Sequence, residues 1–116
     1  MDLPQDMTKF EMLVSIMEKL RAPDGCPWDR EQTHQSIRDS LLQECYEVLE
    51  AIDEGNMDEL RIELGDLLMQ IVFHARIAQE SGEFELAGVL SSINNKLVSR
   101  HPHVFGDVNV KDSAEV

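Results

Sequence analysis

Two long segments with helical apolar spacing, joined through Gly55 and Asn56, constrain the fold of this 116-residue chain more than any other feature. In residues 35–54 apolar side chains recur every three or four positions, and the pattern resumes after the junction and continues to about Ser81. Glycine readily adopts the left-handed conformation that ends a helix. Asn56, with Glu59 three residues later, is typical of a helix start. So short a connection makes the two helices antiparallel neighbours.

Two further helices are expected on either side of this pair. The spacing predicts one over about residues 7–22, where Pro23 ends it, and another over about residues 83–100. The apolar stripe of this last helix is expected to face inward, at Leu86, Val89, Leu90, Ile93 and Leu97. No strand pattern is evident, so the sequence predicts an all-α antiparallel module of about four helices. The helix after Asn56 carries more apolar residues than one buried face needs, which suggests packing against more than one neighbour, including a second subunit.

The whole chain, residues 1–116, is predicted to form one domain, with a core over about residues 8–107 and a polar tail or truncated linker at 108–116. Its formal net charge of −13 repels polyphosphate and argues against a general nucleic-acid binder. No signal peptide or membrane-length apolar run is present. Cys26 and Cys45 lack partners at zinc-ligand spacing and suggest no disulfide framework, so we expect a reducing, cytoplasmic setting.

Four acidic residues are predicted to converge between the two central helices. Glu44 and Glu47 are three residues apart and share one helix face, and Glu63 and Asp66 repeat this arrangement on the next helix. The two pairs lie about ten residues before and after the connection, so an antiparallel arrangement brings them level. Four adjacent carboxylates repel one another unless some are protonated or a cation binds among them.

Magnesium is the cation that best matches such a group, because it prefers oxygen ligands and substrate phosphates commonly complete its coordination shell. Mn²⁺ is an alternative. A di-iron or zinc site is less favoured because no histidine stands at a matching position. Acidic pairs at this spacing are also common on solvated helix faces. Surface acids of that kind are expected at Glu50, Asp53, Glu54 and Glu59.

Three other side chains are candidates for contact with a ligand. Lys96 and Arg100 share a face near the end of the last helix, where they either receive phosphates or stabilise the helix dipole. Trp28 lies in a loop rich in proline and glycine. Its ring is either an apolar plug on the core or a platform for a ligand, and the plug is the favoured interpretation. His101 and His103 are interpreted as structural.

Four motifs, in order and at compatible spacing over about residues 8–107, resemble the MazG family. They are GCPWD at 25–29, ECYEVLEAI at 44–52, ELGDLL at 63–68 and RHPHVF at 100–105. The resemblance implies a helical module that dimerises, or assembles further, into a larger helical bundle. It also implies hydrolysis of a nucleoside triphosphate to the monophosphate and pyrophosphate. Neither a nucleic-acid polymer nor a membrane is expected as a partner.

By the same resemblance, Glu44, Glu47, Glu63 and Asp66 correspond to metal ligands, and Lys96 and Arg100 to residues that contact the triphosphate. In this hypothesis Glu44 or Glu47 accepts a proton from a water, and Trp28 covers the base. Active members often carry a basic residue one turn before the first metal-binding glutamate, where this chain has Ser40. One alternative, which Ser40 supports, is a module that binds nucleotide, metal or a partner without turnover. Another is a plain acidic interaction domain.

Overall fold

The computed structural model describes residues 6–107, 109 and 111. Within these residues the chain is helical and has no strand, as the sequence predicted. None of the helices found there combines the length and the apolar character needed to cross a membrane. The described helices, in chain order, are α1 (Phe10–Leu20), α2 (Pro27–Glu31), α3 (Arg38–Glu54), α4 (Met57–Glu80), α5 (Leu86–Ser99) and α6 (Pro102–Phe105).

The helices α3 and α4 form the predicted antiparallel pair and share the most extensive interface of the fold. Gly55 ends α3 with φ of +66°, in the left-handed region that side chains other than glycine rarely adopt. The side chain of Asn56 then caps α4, because its Oδ1 accepts a hydrogen bond of 3.1 Å from the Glu59 amide. The turn chemistry therefore sets the relative register of the two helices that carry the acidic residues.

The buried core lies toward the carboxyl-terminal half of α4, where α1 packs across it. Its large members are apolar side chains from α1, from the residue before α3 and from α4, namely Met17, Ile37, Val72, Phe73 and Ile77. Partly buried Leu13 and Met69 pack against them. Since this core holds α4 at one end, the acidic half of α4 is left to pair with α3.

Arg21, just after α1, ties the segment around α2 to α4. Its Nη1 donates hydrogen bonds to the carbonyls of Asp29 and Gln32, at 2.6 and 3.1 Å. Its Nε and Nη2 donate to the two carboxylate oxygens of Glu80, at 2.9 and 2.8 Å. The guanidinium also lies 5.5 Å from the ring centroid of Phe73. One buried cation thus joins three parts of the chain.

Short helices also form in two segments outside the four expected helices. Proline occupies the first position of each, at Pro27 and Pro102, where a missing amide hydrogen costs nothing and the fixed φ favours the helical start. Trp28 lies on the first of them and is 62% exposed. The interpretation of Trp28 as a core plug was therefore wrong, because the ring points to solvent rather than into the buried cluster.

The expectation that the apolar stripe of the last long helix faces inward was also wrong for a single chain. Leu90, Ile93 and Leu97 on α5 are 43–48% exposed. On α3, Leu49 and Ile52 are likewise exposed. The reason is that α5 extends from α4 and packs mainly against α4 and α6. The radius of gyration, 17.8 Å, exceeds the roughly 13 Å of a compact domain of this length.

Candidate metal centre

Three of the four predicted acidic ligands converge between α3 and α4. Glu44 lies in the middle of α3, and Glu63 and Asp66 lie one turn apart on α4. Each contributes one carboxylate oxygen to a group in which all three oxygens lie within 4.8 Å of one another. The Gly55 turn produces this convergence, because it makes the two helices antiparallel with the acidic positions level.

Glu63 is the buried member of this group, with 8% of the residue exposed. A hydrogen bond that protonated Glu63 can donate to the Glu44 carboxylate raises the pKa of Glu63, while a hydrogen bond with Glu59 lowers it. Desolvation and the charges of Glu44 and Asp66 raise it further. The site without a cation therefore retains a proton more readily than an isolated glutamate does, as expected for carboxylates forced together.

The geometry and the donor set fit a divalent cation that prefers oxygen ligands. The Glu44 Oε1 atom is buried and has no hydrogen-bond partner. A buried acceptor without a partner is costly, and coordination to a cation would satisfy it. Carboxylate oxygens are the ligands that Mg²⁺ and Mn²⁺ favour, and three of them leave coordination positions for water or phosphate.

The fourth predicted ligand, Glu47, lies outside the group of three oxygens. Its Oε1 accepts a hydrogen bond of 2.8 Å from the Gln43 side chain. Glu59 is exposed, as the sequence analysis expected, but its carboxyl group lies beside Glu63 at the edge of the cluster. A hydrogen bond with Glu63 is the main cause that raises the pKa of Glu59. Its position four residues before Glu63, on the same helix face, was the signal that could have identified it.

The basic pair on α5 is placed differently from the acidic residues. The side chains of Lys96 and Arg100 are exposed, and neither forms an ion pair with a carboxylate in the described part of the chain. Trp28 lies on α2, outside the α3–α4 pair that carries the carboxylates.

Polar residues that the sequence analysis did not select extend along α4. Gln70 is buried, with 8% of its surface exposed. His74, one turn further, stacks on His34, with ring planes 1° apart and centroids 5.0 Å apart. Their Nδ1 atoms are separated by 2.7 Å, a hydrogen-bond distance. Burial and, secondarily, the charge of His34 lower the pKa of His74.

The sequence of residues 32–105 matches the MazG nucleotide pyrophosphohydrolase domain. This chain belongs to the MazG family. The matched range contains the carboxylate cluster, the two stacked histidines and the basic residues of α5. The resemblance inferred from the four motifs is therefore confirmed.

Two MazG relatives show how much of a longer protein this chain represents. It is 61% identical over 98 residues to the nucleoside triphosphate pyrophosphohydrolase/pyrophosphatase MazG of Thermotoga maritima, covering 84% of this chain and 38% of that protein. It is 50% identical over 111 residues to the nucleoside triphosphate pyrophosphohydrolase of Escherichia coli K12. That match covers 95% of this chain and 42% of the relative. The chain thus spans about two fifths of the length of these relatives.

A solved structure supports the same family fold. The mazG-related protein from Thermotoga maritima superposes with a TM-score of 0.73 at 27% sequence identity, over 87% of each chain. The all-helical architecture that presents the α3–α4 carboxylates is therefore shared with a MazG-related protein.

Proposed function

We propose that this chain hydrolyses nucleoside triphosphates to nucleoside monophosphate and pyrophosphate with Mg²⁺, or Mn²⁺, as cofactor. The observation that carries the proposal is the convergence of one oxygen each from Glu44, Glu63 and Asp66 within 4.8 Å. MazG family membership supports it, as do the relatives named as nucleoside triphosphate pyrophosphohydrolases.

Glu44, Glu63 and Asp66 would hold the cation, with Glu47 or Glu59 able to join from the edge of the group. When bound, the cation would neutralise charge on the triphosphate and lower the pKa of a coordinated water. The buried, unpartnered Glu44 Oε1 supports this assignment, because the cation would satisfy it. Glu63, whose pKa the adjacent carboxyls raise, would release any proton it holds when the cation binds.

Glu47 is our preferred proton acceptor in the hydrolysis. It lies on the same α3 face as Glu44, but its carboxylate is outside the group of three oxygens and is oriented by the Gln43 amide. A carboxylate that is near the cation without being fully engaged by it can accept a proton from the attacking water. Lys96 and Arg100 would bind the phosphates and stabilise the charge that develops on pyrophosphate.

We further propose that the functional form is a homodimer or a higher homo-oligomer. The exposed apolar positions on α5, including Leu90, Ile93 and Leu97, would then be covered by a second copy. A stripe of this kind is costly in water but typical of an interface between helices. Assembly would also give the protruding helix α5, with Lys96 and Arg100, neighbours that a single chain lacks.

A second candidate function is nucleotide or metal binding without turnover. The observation that favours it is Ser40, an exposed residue one turn before Glu44 that supplies no positive charge to a phosphate. The carboxylate cluster alone could still bind a cation and thereby a triphosphate. In that case nucleotide and Mg²⁺ would bind together, but no pyrophosphate would form.

The test is to follow pyrophosphate release from each common nucleoside triphosphate with Mg²⁺, and to identify the nucleotide product. We expect Glu63→Gln and Asp66→Asn to lose at least 100-fold in rate, because each removes a charge from the cation site. Glu54→Gln, an exposed acid on α3, is the matched control and should retain the rate. Undiminished release from both site variants would disprove the assignment, and bound nucleotide without release would favour the second candidate.

A further inference from the structure

A line of polar side chains continues from the carboxylate cluster along α4, with Glu63 and Gln70 buried and His74 half-buried. Glu63, Gln70 and His74 are separated by seven and four residues, so they lie within about 40° of one another around the helix axis. The helical rise places Gln70 about 10 Å and His74 about 16 Å beyond Glu63, away from the Gly55 turn. A helix face packed only for stability would carry apolar residues at these positions.

The described residues contain three buried side-chain atoms without a hydrogen-bond partner, and all three lie in or along this line. They are Oε1 of Glu44, Oε1 of Gln70 and Nε2 of His74. Buried polar groups are nearly always paired, and each exception requires an explanation. The proposed cation accounts for Glu44, but it does not account for Gln70 and His74, which lie two and three turns further along α4.

His34 determines how the His74 ring is presented. The Nδ1–Nδ1 hydrogen bond of 2.7 Å requires one ring to donate and the other to accept. If His74 donates through Nδ1–H, its buried Nε2 is unprotonated and is an acceptor. The Nδ1–Nδ1 contact with His34 holds the ring, and Nε2 on its other edge is buried without a partner. In this tautomer, which we adopt below, His74 offers, like Gln70, a buried acceptor that lacks a donor.

We propose that Gln70 and His74 form a subsite that recognises a hydrogen-bond-donating edge of the substrate's nucleobase. This inference rests on the proposed function, because the phosphates would be held at the carboxylate cluster and the base would lie further along the same face of α4. Ring N–H and exocyclic amino groups of nucleobases are the donors that two acceptors one helical turn apart can bind. His34 is a positioning residue in this subsite, since it acts by orienting the His74 ring.

The first test compares each common nucleoside triphosphate with an analogue in which N-methylation removes the donors of the base-pairing edge. In the wild-type protein, methylation of the preferred base should lower kcat/KM by roughly tenfold or more, since it leaves buried acceptors without a partner. In Gln70→Met this penalty should largely disappear. Gln79→Met, an exposed position on the opposite side of α4, is the control and should keep the full penalty.

Loss of folding is not expected to obscure this comparison. Gln70→Met replaces a buried acceptor that has no partner with an apolar side chain of similar size, so its thermal unfolding temperature should equal or exceed that of the wild type. A penalty for methylation that is equal in Gln70→Met and in the wild type would overturn the proposal. It would show that the methyl group acts by bulk, and that Gln70 Oε1 is satisfied by water.

The second test does not depend on turnover. The imidazole ¹⁵N resonances of His74 would be followed with Mg²⁺ and either an α,β-methylene nucleoside triphosphate or inorganic tripolyphosphate. The nucleotide should shift the Nε2 resonance, and tripolyphosphate, which has no base, should leave it unchanged. Equal effects of the two ligands would overturn the proposal. If the wild type bound nucleotide and shifted Nε2 but released no pyrophosphate, the proposed hydrolysis would fail while the subsite would stand.

Discussion

Carboxylate oxygens of Glu44 and Glu63 lie within 4.8 Å of each other across the α3–α4 interface, and a hydrogen bond that protonated Glu63 can donate to Glu44 is the main cause that raises the pKa of Glu63. A carboxyl group whose pKa is raised by folding contributes stability that is fully present below its unfolded-state pKa, near 4.5, and lost as pH rises through the folded-state value. Near neutral pH the cluster without a cation is therefore a source of repulsion.

Magnesium should remove this repulsion. We expect thermal unfolding at pH 7.5 to shift upward by roughly 10 °C when Mg²⁺ is present at about 100 times its Kd. Glu63→Gln should be more stable than the wild type without Mg²⁺ and should gain little when it is added. Differential scanning calorimetry with and without Mg²⁺ measures both effects. The exposed acid variant Glu54→Gln should respond like the wild type, and an unchanged Mg²⁺ response in Glu63→Gln would refute this explanation.

The stacked histidines predict a dependence of stability on pH with the opposite sign. Burial and the charge of His34 lower the pKa of His74, so the unfolded chain takes up a proton at a higher pH than the folded chain does. The contribution to stability is present above about pH 6.5 and is lost as pH falls through the lowered pKa. Urea denaturation at pH 7 and 5.5 should show a loss of up to about 1 kcal/mol from this source.

The matched variants separate this contribution from general acid effects. His74→Phe should lack the part of the pH dependence that arises from burying a neutral imidazole. His103→Phe, at a partly exposed position on α6, should retain it. If His74→Phe and the wild type lost equal stability between the two pH values, the stacked pair would not be its source.

The Arg21–Glu80 ion pair should be a stabilising contact rather than a surface feature. The Arg21 side chain is 7% exposed, and Glu80→Gln would leave its guanidinium without the carboxylate. We expect a loss of about 1–2 kcal/mol in unfolding free energy at pH 7, reduced from the value for a fully buried pair because Glu80 is partly solvated. Urea denaturation of Glu80→Gln tests this, with Glu83→Gln as the control because Glu83 is an exposed acid. Equal stability of the two variants would contradict it.

The pH dependence of this ion pair provides a second check. A hydrogen bond from Arg21 is the main cause that lowers the pKa of Glu80. Its stabilisation is therefore present above the unfolded-state pKa, near 4.5, and is lost as pH falls through the lowered value. The difference between Glu80→Gln and the wild type should accordingly shrink in acid.

Assembly through the exposed stripe of α5 should be sensitive to charge on that stripe. Ile93→Glu and Leu97→Glu place carboxylates where a second copy would pack, so sedimentation velocity should show dissociation toward the monomer. Asn95→Glu lies about 160° from Ile93 around the helix axis and is the control. A wild-type protein that sediments as a monomer at high concentration would rule out the proposed assembly.

Much of the α3–α4 framework could be predicted because its determinants are local. Apolar spacing gives the two helices, and Gly55 and Asn56 specify the turn between them. Given that turn, the positions of Glu44 and Glu63 follow from helix geometry alone. The cation that would bind there is an inference from chemistry and remains a prediction.

Other parts of the candidate site could not be predicted because they depend on contacts between distant residues. His34 and His74 are 40 residues apart, and no local pattern indicates that their rings stack. Arg21 meets Glu80 across 59 residues. The exposure of the α5 stripe was missed for a related reason, since apolar spacing predicts a covered face but not whether the cover belongs to the same chain.

Binding of Mn²⁺, followed by electron paramagnetic resonance without nucleotide, tests most directly whether the α3–α4 carboxylates form a cation site. We expect the wild-type protein to bind Mn²⁺, Mg²⁺ to displace it, and Glu63→Gln and Asp66→Asn to weaken binding at least tenfold, with Glu54→Gln unchanged. Equal Mn²⁺ affinity in the wild type and both site variants would contradict the central claim.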